Sequence, residues 1–226
     1  MVGCPTLKEC AIIDPQGDPE EYVRRASKRG LTITAIIDTH LHADHRSCAR
    51  ALRAQTGAPL YLGRDADVEY EYSPVEEGSV LSVGNRQMHI FHTPGHTPEH
   101  ISVYVDNWIV LTGDTLFVGD VGRIDLSAHK SSKPVSIEKS AQELYHSLQR
   151  LMALPEWTEV YPGHYAGSVC GRGIDCKPMS TIGRERQKNK ALQLSEVEFV
   201  KFQSENVPPL PEEFREIVEF NAGRAV

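Results

Sequence analysis

Thr32 to Ile37 is a β-branched, almost wholly apolar run, and such a run predicts a buried strand. A second apolar run, Leu7 to Ile13, ends at Asp14-Pro15 and predicts a strand feeding a turn. Between the two, Asp18-Pro19-Glu20-Glu21 has the form of a helix start, with a capping residue, a proline and acids facing the dipole. Tyr22, Val23 and Ala26 give that helix an apolar stripe, and Gly30 stops it. Residues 46–56 read as helix and Pro59 to Leu62 as a short strand. Glu77-Gly78 and Gly84-Asn85 punctuate further strands, 86–92 among them. Asp106-Asn107 between two apolar runs, 101–105 and 108–111, predicts a hairpin. Ile137, Ala141, Leu144, Leu148 and Leu151 recur at helical spacing and predict a helix over 136–153. Val160-Tyr161 is a short strand before Pro162, and 194–221 reads as two helical pieces split by Val207–Pro211. The order is strand-rich, helix, strand-rich, helix, which predicts an α/β sandwich of sheets covered by helices.

At 226 residues the chain makes a single domain over 1–226, with 194–226 as a C-terminal helical extension of it. No run approaches the roughly 18 apolar residues of a spanning helix, so no membrane role is expected. The start, Met1-Val2-Gly3-Cys4-Pro5, shows no secretory pattern. Five cysteines without a CxxC pair argue against a disulfide framework or a Cys4 zinc site, and a cytoplasmic location is expected. The net charge of −7 argues against nucleic-acid partners. It is unevenly spread: 1–122 carries −7, 123–190 carries +4 and 191–226 carries −4. The basic middle is either a solvated face or a place for a small anionic ligand.

Chemistry concentrates where predicted strands end. Thr39-His40-Leu41-His42-Ala43-Asp44-His45 packs four metal donors into six positions just past the first buried strand. Thr93-Pro94-Gly95-His96, Thr112-Gly113-Asp114 and Tyr161-Pro162-Gly163-His164 each put a donor beside a glycine at a strand end. The four segments are expected to meet at one rim as a metal site. His89, His92, His100, His129 and His146 read as surface or core residues, with His92 and His100 placed to support the His96 loop. Cys170, in the Gly-rich stretch 167–176, is expected to have a lowered pKa beside Arg172, or else to be an inert loop thiol like Cys176.

With these motifs the sequence resembles the metallo-β-lactamase superfamily from about Leu7 to Leu192. The resemblance implies an αββα sandwich with metals at one rim. In its dinuclear members His40, His42 and His96 would hold one ion, Asp44, His45 and His164 the other, and Asp114 would bridge them. Gly122-Arg123-Ile124-Asp125 and Ser180-Thr-Ile-Gly-Arg-Glu-Arg186 are similar to elements of the persulfide dioxygenase group. Ala166–Gly173 resembles its bacterial branch, whose members are often fused to rhodanese domains. That resemblance implies one Fe(II) per chain on His40, His96 and Asp114, with His42, Asp44, His45 and His164 around it. The iron enzyme would oxidise a thiol persulfide with O₂ to sulfite and free thiol. Arg123, Arg172 and Cys170 are expected on the substrate side, a separate rhodanese-type sulfurtransferase as a partner, and a homo-oligomer as the assembly. The alternative is a thioester hydrolase of the glyoxalase II type with two Zn(II), and a non-enzymatic metal or persulfide sensor is a third class. Because few residues precede Lys8, where relatives carry another strand, the first sheet is expected to lack or borrow an edge.

Overall fold

The computed structural model describes residues 1–130, 134–205, 207, 209–210 and 213–224, without the side chains of 129 and 130. Two sheets stack face to face. The first holds β1 (Val2–Cys4), β2 (Glu9–Ile13), β3 (Thr32–Ile37), β4 (Leu60–Gly63) and β5 (Ser73–Val75) in that order. β1 lies antiparallel on β2, and the remaining neighbours are parallel. The second runs β6 (Val80–Val83), β7 (Arg86–His92), β8 (Ile101–Val105), β9 (Ile109–Gly113), β10 (Glu159–Pro162) and β11 (Ser180–Thr181). All its pairs are antiparallel except β9 with β10.

The sheets share an apolar layer of Ala35 and Ile37 against Met88, Ile90, Ile101 and Val103. Ile33 and Ile36 of β3 face the other way, onto α1 (Pro19–Lys28) and α2 (Ala49–Thr56). A strand buried on both faces explains why its sequence is a β-branched, mostly apolar run without alternation. On the far side, α4 (Ile137–Met152) lays Ala141, Leu144, Leu148 and Leu151 against Val110 and Val160. Each such leucine contributes roughly 2 kcal/mol of apolar burial. α5 (Ile182–Lys188), a 3-10 turn at Lys190–Gln193 and α6 (Glu196–Glu205) complete that layer, with Phe199 fully buried. α3 (Leu126–Lys130) and α7 (Phe214–Asn221) close the rim, where Leu126, Phe214 and Val218 pack on Leu41 and Ala43. The αββα sandwich is therefore present.

Three local expectations change. The first sheet has its edge: Val2–Cys4 form β1, with Gly3 opposite Cys10. The strand expected from Leu7 starts at Glu9, because Lys8 turns the chain at φ 60. Helix α2 begins at Ala49 rather than 46, since Cys48 N–H donates to the Pro15 carbonyl and Ser47 Oγ accepts from Ala49. The hairpin at Asp106-Asn107 forms with both residues at positive φ, 50 and 55, as a tight hairpin turn needs. The Val207–Pro211 break lies partly outside the described residues, as does the His129 side chain. Among the described residues no helix is long and apolar enough to cross a membrane.

Candidate metal centre

β3, the β7–β8 loop, β9 and β10 all deliver their donors to one end of the sandwich. His40 follows β3 through Thr39, whose N–H and hydroxyl both donate to Asp14, at 2.6 and 2.9 Å. The Thr39 hydroxyl proton is thus committed to Asp14, so His40 Nδ1 donates to the hydroxyl oxygen at 3.0 Å and Nε2 is the ligand nitrogen. His96 is fixed the same way: its Nδ1 donates to the Arg123 carbonyl at 2.8 Å. Its Nε2 then lies 3.4 Å from Asp114 Oδ2, and His40 Nε2 lies 3.9 Å from the same oxygen. His40, His96 and Asp114 are all buried, and their ligand atoms lie within 4.8 Å of one another. Asp114 Oδ2, buried in this cluster, has no hydrogen-bond partner. A native interior rarely leaves a carboxylate oxygen so, and a cation is the natural complement.

A second set adjoins the first. His164 Nδ1 donates to Asp114 Oδ1 at 2.9 Å, and its Nε2 lies 2.8 Å from Asp44 Oδ2. Asp44 Oδ1 meets His45 Nδ1 at 3.1 Å. His42 Nε2 meets Asp14 Oδ1 at 3.2 Å. His42 Nδ1 and His45 Nε2 are buried without a hydrogen-bond partner. Burial works against a charged His164, yet Asp114 and Asp44 on either side hold its pKa up to about 11. Burial also opposes charge on His42, but Asp14 and Asp38 raise it to about 9. Burial lifts the Asp38 carboxyl to about 7, with Asp14 adding to it. Asp114 and Asp44 stay well below the usual carboxylate range despite burial, because imidazoles face them. Protons on His42 and His164 balance the carboxylates here, and a bound cation would take their place.

Several supports were not legible as site residues. Asn221 of α7 donates from Nδ2 to the carbonyls of His42 and His45, at 2.9 and 2.8 Å, and accepts from Ser47 N–H at 2.9 Å. Glu99 accepts from Leu41 N–H at 2.8 Å. Nothing in a helical tail announces a clamp 179 residues from its target. Asp14 could have been found, since it follows β2, which runs parallel to β3, just as Asp38 follows β3. Replacing Asn221 by Leu is expected to cost about 1–3 kcal/mol of stability and to weaken metal binding roughly 10–100-fold. Denaturant melts and competition with a chelator check both.

His100, read as surface or core, is fully buried beneath Asp114. Its Nε2 accepts from Asp114 N–H at 3.0 Å, so Nδ1 carries the proton toward Thr93 and Thr115. Burial and the neighbouring His96 push its pKa down to about 3. Between that value and the ordinary 6.5, the unfolded residue takes up a proton and the folded one does not. Stability of metal-free protein is therefore expected to fall on acidification through this window, by up to ~1.4 kcal/mol per pH unit from this residue. Denaturant melts of wild type and His100→Asn across the window check it, the variant giving the shallower slope. His92 also supports the loop, with its Nε2 2.7 Å from the Pro98 carbonyl.

The three residues expected on the substrate side lie in three different settings. Arg123 is buried and grips Asp125 bidentately at 2.7 and 2.6 Å, with further bonds to the Val169 and Pro209 carbonyls. It builds the loop that holds His96 and presents no fork to solvent. Arg172 lies over the Phe202 ring at 4.5 Å and bonds Gln203, so it packs on α6. Cys170 does reach the metal residues: its thiol sits with Asp44 and His164, all three ligand atoms within 4.8 Å. Burial and the nearby Asp114 and Asp44 carboxylates push that thiol far above its ordinary pKa, the reverse of a lowering by Arg172. Cys176 is exposed.

A two-sheet sandwich with buried His/Asp clusters at one rim defines a metal-binding α/β protein, and the comparisons with known proteins agree. The profile of the metallo-beta-lactamase superfamily matches residues 6–164. A hydroxyacylglutathione hydrolase of Maricaulis maris is 35% identical over 73% of this chain and 60% of its own length. The chain thus spans about three fifths of that curated relative. A metallo-beta-lactamase of Staphylococcus aureus superposes with a TM-score of 0.87 at 32% identity, over 97% of this chain and 67% of that one. ETHE1 from Myxococcus xanthus superposes with a TM-score of 0.81 at 28% identity, over 99% of this chain and 92% of that one. The chain belongs to the metallo-beta-lactamase superfamily.

Proposed function

We propose that this chain is a mononuclear Fe(II) persulfide dioxygenase, using His40, His96 and Asp114 as ligands. The observation that carries the proposal is the convergence of two imidazoles and one carboxylate whose outer atoms are already tied by Thr39, Arg123 and His164. Such a facial triad leaves open positions on non-haem Fe(II). The Gly122-Arg123-Ile124-Asp125 element, which carries the sequence resemblance to persulfide dioxygenases, is part of that convergence, since the Arg123 carbonyl orients His96. Bound iron would supply the open positions where O₂ and a sulfur ligand meet and the electrons that activate O₂.

The chain's own residues set the rest. Thr39 and the Arg123 carbonyl lock two ligand tautomers, and His100 fixes the Asp114 backbone. His164 and Asp44 hold a proton beside the triad. The Cys170 thiol, buried and protonated, borders the same space. One persulfide, one O₂ and one water would give one thiol and one sulfite. Thiol persulfide and O₂ are the substrates, and a separate rhodanese-type sulfurtransferase and a homo-oligomer belong to the same proposal.

The second reading is thioester hydrolysis on two Zn(II); the Maricaulis maris relative is named a hydroxyacylglutathione hydrolase. The observation favouring it is the linked Asp114–His164–Asp44–His45 chain beside the triad, with His42 Nδ1 and His45 Nε2 unpartnered. Metal analysis of natively purified protein, with O₂ uptake on glutathione persulfide and hydrolysis of lactoylglutathione, separates the two. One iron per chain with O₂ consumption supports the first. Two zincs with thioester hydrolysis and no O₂ uptake replaces it with the second.

A further inference from the structure

The Ser180-Thr-Ile-Gly-Arg-Glu-Arg186 stretch carries part of the sequence resemblance, yet none of its side chains is among the clustered donors of the metal centre. Its buried acid is Glu185 of α5, 1% exposed. Ser180 Oγ donates to Glu185 Oε1 at 2.5 Å, and Oε2 accepts from Gly119 N–H at 2.8 Å and from Asn189 Nδ2 at 3.0 Å. Arg184 Nε stands 4.0 Å from Oε1, so hydrogen bonds rather than a close ion pair satisfy this carboxylate. One side chain thus gathers donors from β11, from the turn after β9 and from the end of α5.

We infer that Glu185 is a positioning residue for the metal centre, acting through the Gly119-Asp120 turn to hold residues 164–176, and with them His164 and Cys170, against the triad. The contacts run in sequence from helix to site. Gly119 turns the chain at φ 78, and Asn189 Nδ2 also donates to the Asp120 carbonyl at 3.0 Å. Asp120 Oδ2 then collects the N–H groups of Arg172 and Gly173, at 2.6 and 2.7 Å. Asp175 N–H donates to the Val118 carbonyl at 2.9 Å. The loop is therefore hung from the 117–120 turn, and the turn from α5. At the site end, His164 bonds Asp114 and Asp44, and the Cys170 thiol sits with Asp44 and His164. Phe117 of the turn also sets its ring near edge-on to His164, with centroids 6.1 Å apart. Alanine at 185 takes the acceptor from Gly119 N–H and from Ser180. Glutamine keeps the pattern: its oxygen accepts from Gly119 and Asn189, and its amide donates to Ser180 Oγ, whose hydroxyl rotates to suit.

Labelling of natively purified, full-length protein with N-ethylmaleimide, read cysteine by cysteine by mass spectrometry, tests this independently of turnover. Cys170 is 3% exposed, Cys4, Cys10 and Cys48 are buried away from the loop, and Cys176 is exposed. Glu185→Ala is expected to speed labelling of Cys170 roughly 10–100-fold through local opening, while Cys4, Cys10 and Cys48 stay slow. Glu185→Gln should label like wild type. Asp120→Ala cuts the same contacts one step nearer the loop and should also expose Cys170, and adding Glu185→Ala to it should add less than about threefold. Unchanged Cys170 labelling in Glu185→Ala, equal acceleration of all the buried cysteines, independent effects in the double variant, or a glutamine variant that labels like alanine overturns the inference. Turnover of glutathione persulfide gives a second readout, which rests on the dioxygenase reading: KM should rise about tenfold in Glu185→Ala with kcat within about threefold, and glutamine should restore it. An unchanged KM in Glu185→Ala would also overturn the inference. Absent O₂ uptake by wild type would defeat the dioxygenase reading instead and leave the labelling pattern untouched.

Discussion

Asp114→Ala is expected to lower activity by about a thousandfold or more and to strip the protein of its metal. Asp114 is the only carboxylate in the triad, fully buried, with Oδ2 3.4 Å from His96 Nε2. A metal in such a site supplies several kcal/mol of charge stabilisation, and each 1.36 kcal/mol is about tenfold in rate. The same side chain also accepts from His164 Nδ1, and the His164 proton is held by Asp114 and Asp44 together. Alanine therefore breaks a buried ion pair as well, which costs about 3–5 kcal/mol in the metal-free protein. Asp114→Asn separates the two effects. Its amide oxygen can still accept from His164, so stability should stay within about 1–2 kcal/mol of wild type, while the anionic ligand is gone. Metal content after dialysis, melts of metal-free protein and turnover read the three quantities. A fully active, metal-replete Asp114→Asn would place the centre elsewhere, whichever metal and reaction the wild type uses.

How much of this was visible beforehand depends on the range of the interaction. Strand β3 is legible because burial on both faces writes a continuous β-branched run, and helix α4 because burial on one face writes a 3.6-residue period. The donors are legible because each group follows a strand, with His96, Asp114 and His164 also beside a glycine, and those strands deliver their ends to one rim. What holds the donors is not legible. Asn221 reaches His42 and His45 from a helix in the tail, and Glu99 reaches Leu41 across the gap between the sheets. β1 is three residues long, too short to show a period. Arg123 shows how charge misleads. A tally sees a cation next to a metal loop, whereas the turn at 123–125 folds that cation onto Asp125. Cys170 was read beside Arg172 along the chain, but in space its neighbours are Asp44, His164 and Asp114, and the sign of its pKa shift reverses accordingly.

Gly122→Ala is expected to cost about 3 kcal/mol or more and to weaken metal binding roughly 10–100-fold, though residue 122 donates no ligand. A Cβ there would run into the Asp114 carbonyl oxygen and sit 3.3 Å from His96 Nδ1. The obstacle is backbone, which cannot swing aside as a side-chain tip would. Room can come only from moving Asp114 or from moving the Gly122-Arg123 segment. The first displaces a ligand. The second displaces the Arg123 carbonyl, which sets His96 Nδ1 at 2.8 Å and so points Nε2 at the metal. Either relaxation reaches the triad, so the damage should appear in metal affinity as well as in stability. Gly173→Ala is the contrast: nothing lies within 4 Å of its Cβ, and a change within about 0.5 kcal/mol is expected. Chelator competition and denaturant melts of both variants decide the matter. If Gly122→Ala kept wild-type metal affinity, the close packing of residue 122 on Asp114 would not be what holds the triad in register.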